Sequence, residues 1–543
     1  MTRLFLVAFT LSAVLACGGE TPTPPAETPA KRGKAKRGRA KAAVKATPQG
    51  EAPADAPNVL VIVWDTVRAD HLSAYGYKLQ TTPRLDAFAK EALLFEHAIS
   101  PGMWTLPSHA SIFTGLPVTA HGAFPGHKIL DESFDTFAEH FRTNGYDTYL
   151  FSANPYLGDH TQLGQGFDTR EFPWDAAWKG KAKANTVDKL LPSDASNSLA
   201  PKWKETKYPT GRMNDSVKDA GPVTADALQA WIKGRSEPGR PWLALLNYME
   251  AHVPRIPSLE ARKALFDQAT VDRQLSLDQS FGYLLAHTVK LHDFEEDEVD
   301  VIASTYDASL RDLDAATGKL FDMLAEEAWL DDTIVILTSD HGEHLGEHHR
   351  IGHKFSVYQP LIRVPLVIRY PKKVEPGRVE EVVSNLGLFA TMTDLAGLPT
   401  PEGLMVGSLM DDANRTNVAY SELAKATPQA LIRMRKSHPD FTGEAWEPWE
   451  KTYAAVVTPD AKCIARNDGH KELYALPDDR LESNDLAATD TARTEELCGM
   501  IDDWRGTFEP YDDRPKPKAT PKPELSDDDK ERLKALGYMD DDE

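Results

Sequence analysis

The chain has 543 residues, of which 41% are hydrophobic, 27% charged and 9% aromatic, and it carries a formal net charge of −22. Those proportions exclude wholesale disorder, and the acidic balance opposes a nucleic-acid partner, whose phosphates it would repel. Three cysteines exclude a disulfide scaffold or a Cys-rich zinc module, and no internal apolar run approaches the roughly 18 residues needed to span a bilayer.

The chain opens on MTRLFLVAFTLSAVLACGG. Arg3 precedes an apolar stretch over residues 4–16, the pattern of an export signal, so residues 1–17 are set aside from the fold. The end of that segment, Val14-Leu15-Ala16-Cys17, resembles the lipobox of bacterial lipoproteins, although Leu15 stands where a small residue is commoner. The resemblance implies acylation of Cys17 and an exported protein anchored by lipid in the bacterial cell envelope. A plain secretory signal with an incidental cysteine is the alternative. Residues 18–57, rich in Pro, Ala and Lys, read as a disordered linker. Within it, residues 31–45 hold eight basic side chains and no acid, suited to anionic lipid or wall polymers, or to a solvated tether and nothing more.

Asn58–Trp64 is a continuous, β-branched apolar run bounded by Pro57 and Asp65, which predicts a strand buried on both faces. Similar runs recur at 146–152, Trp242–Tyr248, 333–339 and 364–368, with helical patterns at 83–96 and 308–324. Alternating strands and helices predict an α/β catalytic domain over 58–416, with a largely parallel sheet between helices. Ligands then belong at the carboxyl ends of the strands. From 417 to 515 the pattern becomes short strands at 452–457, 462–465 and 471–475 followed by a helix at Thr491–Arg505, a small antiparallel subdomain. Cys463 and Cys498 fall there, either as one disulfide or as two buried thiols. Residues 516–543 read as an acidic tail with a short helix.

Asp65 and the pair Asp340-His341 each follow an apolar strand, so both reach the same rim. Two carboxylates and an imidazole suit one divalent cation with open positions, and the hydroxyl of Thr105 is a further ligand that coordination would make nucleophilic. Pro107 predicts a helix through residues 108–114 ending at Gly115, which places Thr105 near free backbone N–H groups that favour an anion. Plain N-capping is the competing explanation for that string. Histidines at 341, 344, 348, 349 and 353 are dense for a chain with 17. His341 is assigned to metal, and His344, His348 and His349 to the loop. His252, after the third run, is either a general acid or anion ligand, or an ordinary loop histidine.

These segments stand in a known order: NVLVIVWDTVRADHLSAYGY, TTPRLDAFAKEALLFEHA, WTLPSHASIFTGLPVTAHG, NYMEAHVPRIP, YDASLRDLDAATGKLFDML, IVILTSDHGEHLGEH and GHKFSVYQPLIRVPLVI, closing with HKELYALPDDRLESNDLA. From about residue 58 onward the chain resembles the sulfatase family of the alkaline phosphatase superfamily. The resemblance implies an alkaline-phosphatase-like fold, metal ligands at Asp65, Asp340 and His341, the nucleophile at Thr105, and anion-binding groups at His252 and Lys354. Departures from the family pattern carry information. Family sulfatases start the nucleophile motif with Cys or Ser, oxidised to formylglycine, and follow it with an Arg where this chain has His109. Oxidised threonine gives a ketone, so Thr105 resembles instead the nucleophile of superfamily phosphodiesterases and phosphoethanolamine transferases. Thr66 replaces a second Asp, and His341 an Asn, shifting the expected metal from calcium towards zinc or manganese. A Lys-x-His segment common in sulfatases gives way to Ser152-Ala153-Asn154.

The expectation is therefore a metal-dependent hydrolase of sulfate or phosphate esters working through a covalent Thr105 intermediate, with phosphoesters favoured. His109, Lys354 and His252 neutralise the non-bridging oxygens, and His252 or His353 protonates the leaving group. A second metal at Glu250, His252 and His353 is an option the residues do not require. Transfer of a phospho-substituent to lipid or glycan, and a silent homologue that binds anionic glycans, are the alternatives.

Overall fold

The computed structural model describes residues 50–124, 129–190, 220–279, 281–290, 292–424, 450–514 and 525–535. The segment expected to be an export signal, Cys17, the basic run and most of the acidic tail lie outside them.

In chain order the strands are β1 (Asn58–Trp64), β2 (Leu93–Ile99), β3 (Asp147–Ser152), β4 (Thr169–Glu171), β5 (Trp242–Tyr248), β6 (Thr333–Thr338), the short hairpin β7 (His344–Leu345) and β8 (Ile351–Gly352), then β9 (Arg363–Arg369) and β10 (Gly377–Ser384). All but the hairpin form one sheet in the order β10-β2-β9-β6-β1-β5-β3-β4. β1 pairs in parallel with β5 on one side and β6 on the other, and β5 with β3, so their carboxyl ends finish level. Trp64 lies opposite Tyr248, Val63 opposite Thr338, and Ser152 opposite Asn247. The residues immediately beyond, from Asp65, Asn154, His252 and Asp340, therefore share one rim.

Helices cover the sheet on both faces. The long helix Glu298–Glu326 lays a buried apolar stripe along one of them, where Trp64 Nε1 donates to Thr317 Oγ1 at 3.0 Å. The sheet is mixed because β9 runs antiparallel to both β2 and β6. The helical pattern expected over 83–96 stops early. Helix α1 (Pro83–Phe88) ends in a 3-10 turn at Ala89–Glu91, and the remaining residues become β2. No Gly or Pro marks that switch; pairing of β2 on both edges, with β9 and β10, decides it.

β11 (Ala419–Leu423), β12 (Tyr453–Val457), β13 (Lys462–Arg466) and β14 (Lys471–Tyr474) form the small antiparallel sheet, against which the helix Thr491–Arg505 packs. β11 escapes the sequence pattern because residues 425–449, outside the described part, separate it from its partner β12. Cys463 and Cys498 are joined as a disulfide, with Cα atoms 5.4 Å apart. Buried Lys462 pairs with Glu482 and donates to Val357 O, each at 2.5 Å, which ties this sheet to the loop following His353. Among the described residues no helix is long and apolar enough to cross a membrane.

Candidate active site

Helix α2 (Thr105–Thr114) starts at Thr105 itself, two residues before Pro107, and ends where Gly115 adopts φ 67°. Thr105 is fully buried, and its Oγ1 lies 3.5 Å from His341 Nε2. One ligand atom from each of Asp65, Asp340 and His341 falls within 4.8 Å of the others, and all three residues are buried. Three segments far apart in the sequence thus meet at one point.

Backbone contacts hold this meeting point. Thr66, at φ 64°, lets the chain turn sharply after Asp65. Its N–H donates to Asp340 Oδ1 at 3.3 Å, and Val67 N–H donates to Ser339 Oγ at 3.0 Å, which staples the loop after β1 to the loop after β6. From the long helix, Tyr306 OH donates to Thr66 O and accepts from Arg68 N–H, both at 2.9 Å. His341 Nδ1–H donates to Gly342 O at 2.9 Å, so its Nε2 lone pair faces the pocket.

The electrostatics are those of a site built around a cation. Burial, then repulsion from Asp340, pushes the Asp65 carboxyl up to about 7, and burial pushes Asp340 up to about 7 as well. Asp65 Oδ1 and Asp340 Oδ2 are buried without a hydrogen-bond partner. Two desolvated carboxylates with orphaned oxygens beside a hydroxyl and an imidazole lone pair fit a divalent cation, which supplies the missing charge.

The remaining expected residues take distinct places. His109 is buried, donates from Nδ1 to Thr105 O at 2.9 Å, and lies 3.4 Å from Asp340 Oδ2. Burial pushes it down to about 3, so it enters the pocket as a neutral dipole rather than as the cation expected in place of the family's Arg. His353 stands with its ring 4.7 Å from that of His341 and 4.8 Å from that of His252. Burial lowers Lys354 to about 8, against the opposing pull of Glu343, so it remains cationic at neutral pH. The optional second metal set does not assemble among the described residues. Glu250 Oε1 accepts from Gly221 N–H at 2.7 Å, His252 Nδ1 donates to Val253 O at 2.5 Å, and His353 engages Glu343.

Three residues of the site were not singled out as such in the sequence. Asn154, noted there only as a loss, donates from Nδ2 to Asp65 Oδ2 at 2.8 Å and to Thr105 Oγ1 at 3.4 Å. Glu343 Oε1 accepts from His353 Nδ1 at 2.9 Å, while its Oε2 is 2.5 Å from Arg255 Nη2. Burial favours the neutral acid, but His353 and Arg255 outweigh it and hold Glu343 below the usual carboxylate range. Arg255 also donates to Ala251 O at 3.0 Å and lies over the Tyr306 ring, 5.1 Å from its centroid. A retrievable signal existed for Glu343, two residues past His341 in an otherwise histidine-rich stretch. None existed for Arg255.

Residues 57–398 match the model of the Sulfatase family. The chain belongs to the sulfatase family. Choline-sulfatase of Rhizobium meliloti (strain 1021) is 25% identical over 503 residues, spanning 86% of this chain and 94% of that protein. The multifunctional alkaline phosphatase superfamily protein PehA of Trinickia caryophylli is 26% identical over 401 residues, 65% of this chain and 76% of that one. Among solved structures, the phosphonate monoester hydrolase of Agrobacterium radiobacter has the same fold, with a TM-score of 0.65 at 22% identity over 83% of this chain and 96% of that chain. As a sulfatase-family protein the chain is a hydrolase of ester bonds. The family is metal-dependent, and the Asp65, Asp340 and His341 group fits that requirement.

Proposed function

We propose that this sulfatase-family protein hydrolyses phosphoesters in preference to sulfate esters, with Thr105 Oγ1 as the nucleophile and zinc or manganese rather than calcium as the metal. The observation carrying this reading is the position of a secondary alcohol, 3.5 Å from His341 Nε2, at the start of α2 and beside two buried carboxylates. A threonine yields no aldehyde on oxidation, so the hydrate chemistry of formylglycine is closed to it. Asp65, Asp340, His341 and Thr105 hold the cation, which when bound lowers the hydroxyl pKa and offsets developing negative charge.

In the proposed reaction Thr105 Oγ1 attacks phosphorus in line, forming an Oγ–P bond as the bond to the leaving oxygen breaks. The positive dipole end at the start of α2, with Lys354 and His252, holds the non-bridging oxygens. Asn154 orients Thr105 and Asp65 through its amide. Burial keeps the His353 ring neutral, with Nδ1–H held by Glu343, so its Nε2 takes the proton that Thr105 loses, gives it to the leaving oxygen, then takes a proton from the water that cleaves the Thr105 ester and returns it to Thr105 Oγ1. Among the similar proteins one is named a phosphonate monoester hydrolase and another a choline-sulfatase, so the preference for phosphorus rests on Thr105.

A side-by-side assay of nitrophenyl phosphate, phosphodiester and sulfate, with metal analysis of the same preparation, tests the reading. Faster turnover of either phosphorus ester, with zinc or manganese bound, supports it. Faster sulfate turnover, or calcium in the site, contradicts it, and a product carrying the phospho-substituent on an added alcohol identifies a transferase. The same proposal has the protein exported and held by acylated Cys17, with a catalytic domain at 58–416, a subdomain at 417–515 and an acidic tail at 516–543. Mass analysis of the mature N-terminus checks the anchor: an unmodified Cys17 removes it.

A further inference from the structure

The histidine-rich stretch after β6 is not consumed by the pocket. His341 and His353 belong to it. His344 Nε2 is 2.7 Å from Ser356 Oγ, while His348 donates to Leu481 O at 3.0 Å and stacks on Tyr358. His349, in the turn between β7 and β8, faces elsewhere. Its ring lies 4.1 Å from that of His287, at the end of the helix Phe281–Thr288. Asp293, on the loop after that helix, completes a group in which one ligand atom from each residue lies within 4.8 Å of the others.

We infer that His287, Asp293 and His349 form a second divalent-cation site, suited to zinc, separate from the Asp65–Asp340–His341 pocket. Two independent observations carry it. The first is the convergence of two imidazoles and a carboxylate, a donor set that zinc favours. The second is that His287 Nδ1 and His349 Nε2 are buried atoms without a hydrogen-bond partner, and His287 as a residue is only 6% exposed. A buried imidazole nitrogen normally finds a donor or acceptor, so two orphans in one cluster ask for a ligand. Burial and the neighbouring His349 lower the His287 pKa, keeping the ring neutral and its lone pair available.

The surroundings are preset for this role. Phe294 stacks on His287 at 3.7 Å and fixes the ring plane. Thr288 Oγ1 donates to Ile351 O at 3.1 Å and accepts from Ile351 N–H at 2.9 Å, so the helix end is already fastened to β8. Tetrahedral zinc sets its donors about 3.4 Å apart, so binding draws these side chains together by roughly an ångström. Exposed Asp293 gives the ion its entry, and three protein ligands leave the fourth position to water. Because β8 runs directly into His353 and Lys354, an ion here braces the strand that leads to the pocket.

The test titrates the purified, metal-stripped full chain with Zn²⁺ alone by calorimetry, following the unfolding midpoint in parallel. Asp65→Asn/Asp340→Asn replaces two desolvated carboxyls by neutral amides and disables the pocket without a new buried charge. That variant is expected to keep about one tight Zn²⁺ and to gain a higher unfolding midpoint on binding it. Adding His349→Gln or Asp293→Asn, both at residues that reach solvent, is expected to weaken that binding by about 100-fold and abolish the midpoint rise. The inference is overturned if the folded Asp65→Asn/Asp340→Asn protein binds no Zn²⁺. It is equally overturned if His349→Gln and Asp293→Asn leave the titration unchanged.

Discussion

Asp65, Asp340 and His341 stand on loops launched by adjacent parallel strands, whereas His287, Asp293 and His349 stand on a helix end, an exposed loop and the turn of a two-stranded hairpin. In the first group strand register sets the spacing, and Thr66 N–H, Val67 N–H and Tyr306 OH lock the loops together. In the second, one threonine hydroxyl and an aromatic stack do the fastening. A sheet rim stapled by backbone hydrogen bonds can position a reacting oxygen to a fraction of an ångström, as catalysis demands; a cluster between loops can only brace.

Four experiments test that contrast. Thr105→Ala is expected to lower kcat/KM for the best phosphorus ester by about 10⁴-fold, while Thr105→Ser stays within about tenfold, since a primary alcohol keeps the nucleophile. Steady-state kinetics of both variants decide, and near-native rates for the alanine variant break the assignment.

Asp65→Asn/Asp340→Asn is expected to lower turnover by about 10³-fold, and it also removes a pH signature. In the metal-free protein both carboxyls are raised from the ordinary value of 3.8 to about 7. The fold then binds more protons than the unfolded chain between those values. Its stability is fully present below about pH 4, falls as pH rises, and levels off above about 7. Bound Zn²⁺ or Mn²⁺ requires the ionised forms, so the rise in unfolding midpoint on adding metal grows from pH 5 to pH 8 in the native protein. Thermal melts across that range check it, and a metal-induced rise that does not vary with pH contradicts the ligand set.

Glu343→Gln is expected to lower kcat by roughly 10- to 100-fold with little change in KM, because it leaves His353 present but loses the charge that holds its ring. The pH–rate limb assigned to His353 shifts with it, and Glu343→Asp restores part of the rate; an unchanged pH profile assigns Glu343 a structural role only. Last, His349→Gln is expected to leave turnover within about threefold while the Zn²⁺ stoichiometry falls. A loss as large as that of Glu343→Gln would place the outer cluster within the reaction.

The parts of this molecule written in contiguous residues were the legible ones. Unbroken apolar runs located β1, β3, β5, β6 and β9, and the polar residues just past β1 and β6 pointed to the pocket. Strand direction was not legible: the run that forms β9 looks like its parallel neighbours, and only pairing to β2 and β6 reverses it. The β2 segment carries apolar residues compatible with a helix, and partners distant in sequence override that pattern. Asn154 and Arg255 act through contacts spanning 49 to 89 positions, which no local spacing encodes, whereas Glu343 holds His353 from only ten positions away. The neutrality of His109 follows from complete burial, a tertiary property that residue type does not reveal.

As the proposed nucleophile, the Thr105 oxygen is expected to carry the substrate's phosphoryl group during turnover. Rapid acid quench with a nitrophenyl phosphodiester, followed by peptide mass spectrometry, measures this directly. The expected result is a phospho-substituent on Thr105 that appears within the first turnover, approaches one per active chain, and is absent from Thr105→Ala. Turnover with no adduct on Thr105 at any quench time, or with the adduct on another residue, contradicts it.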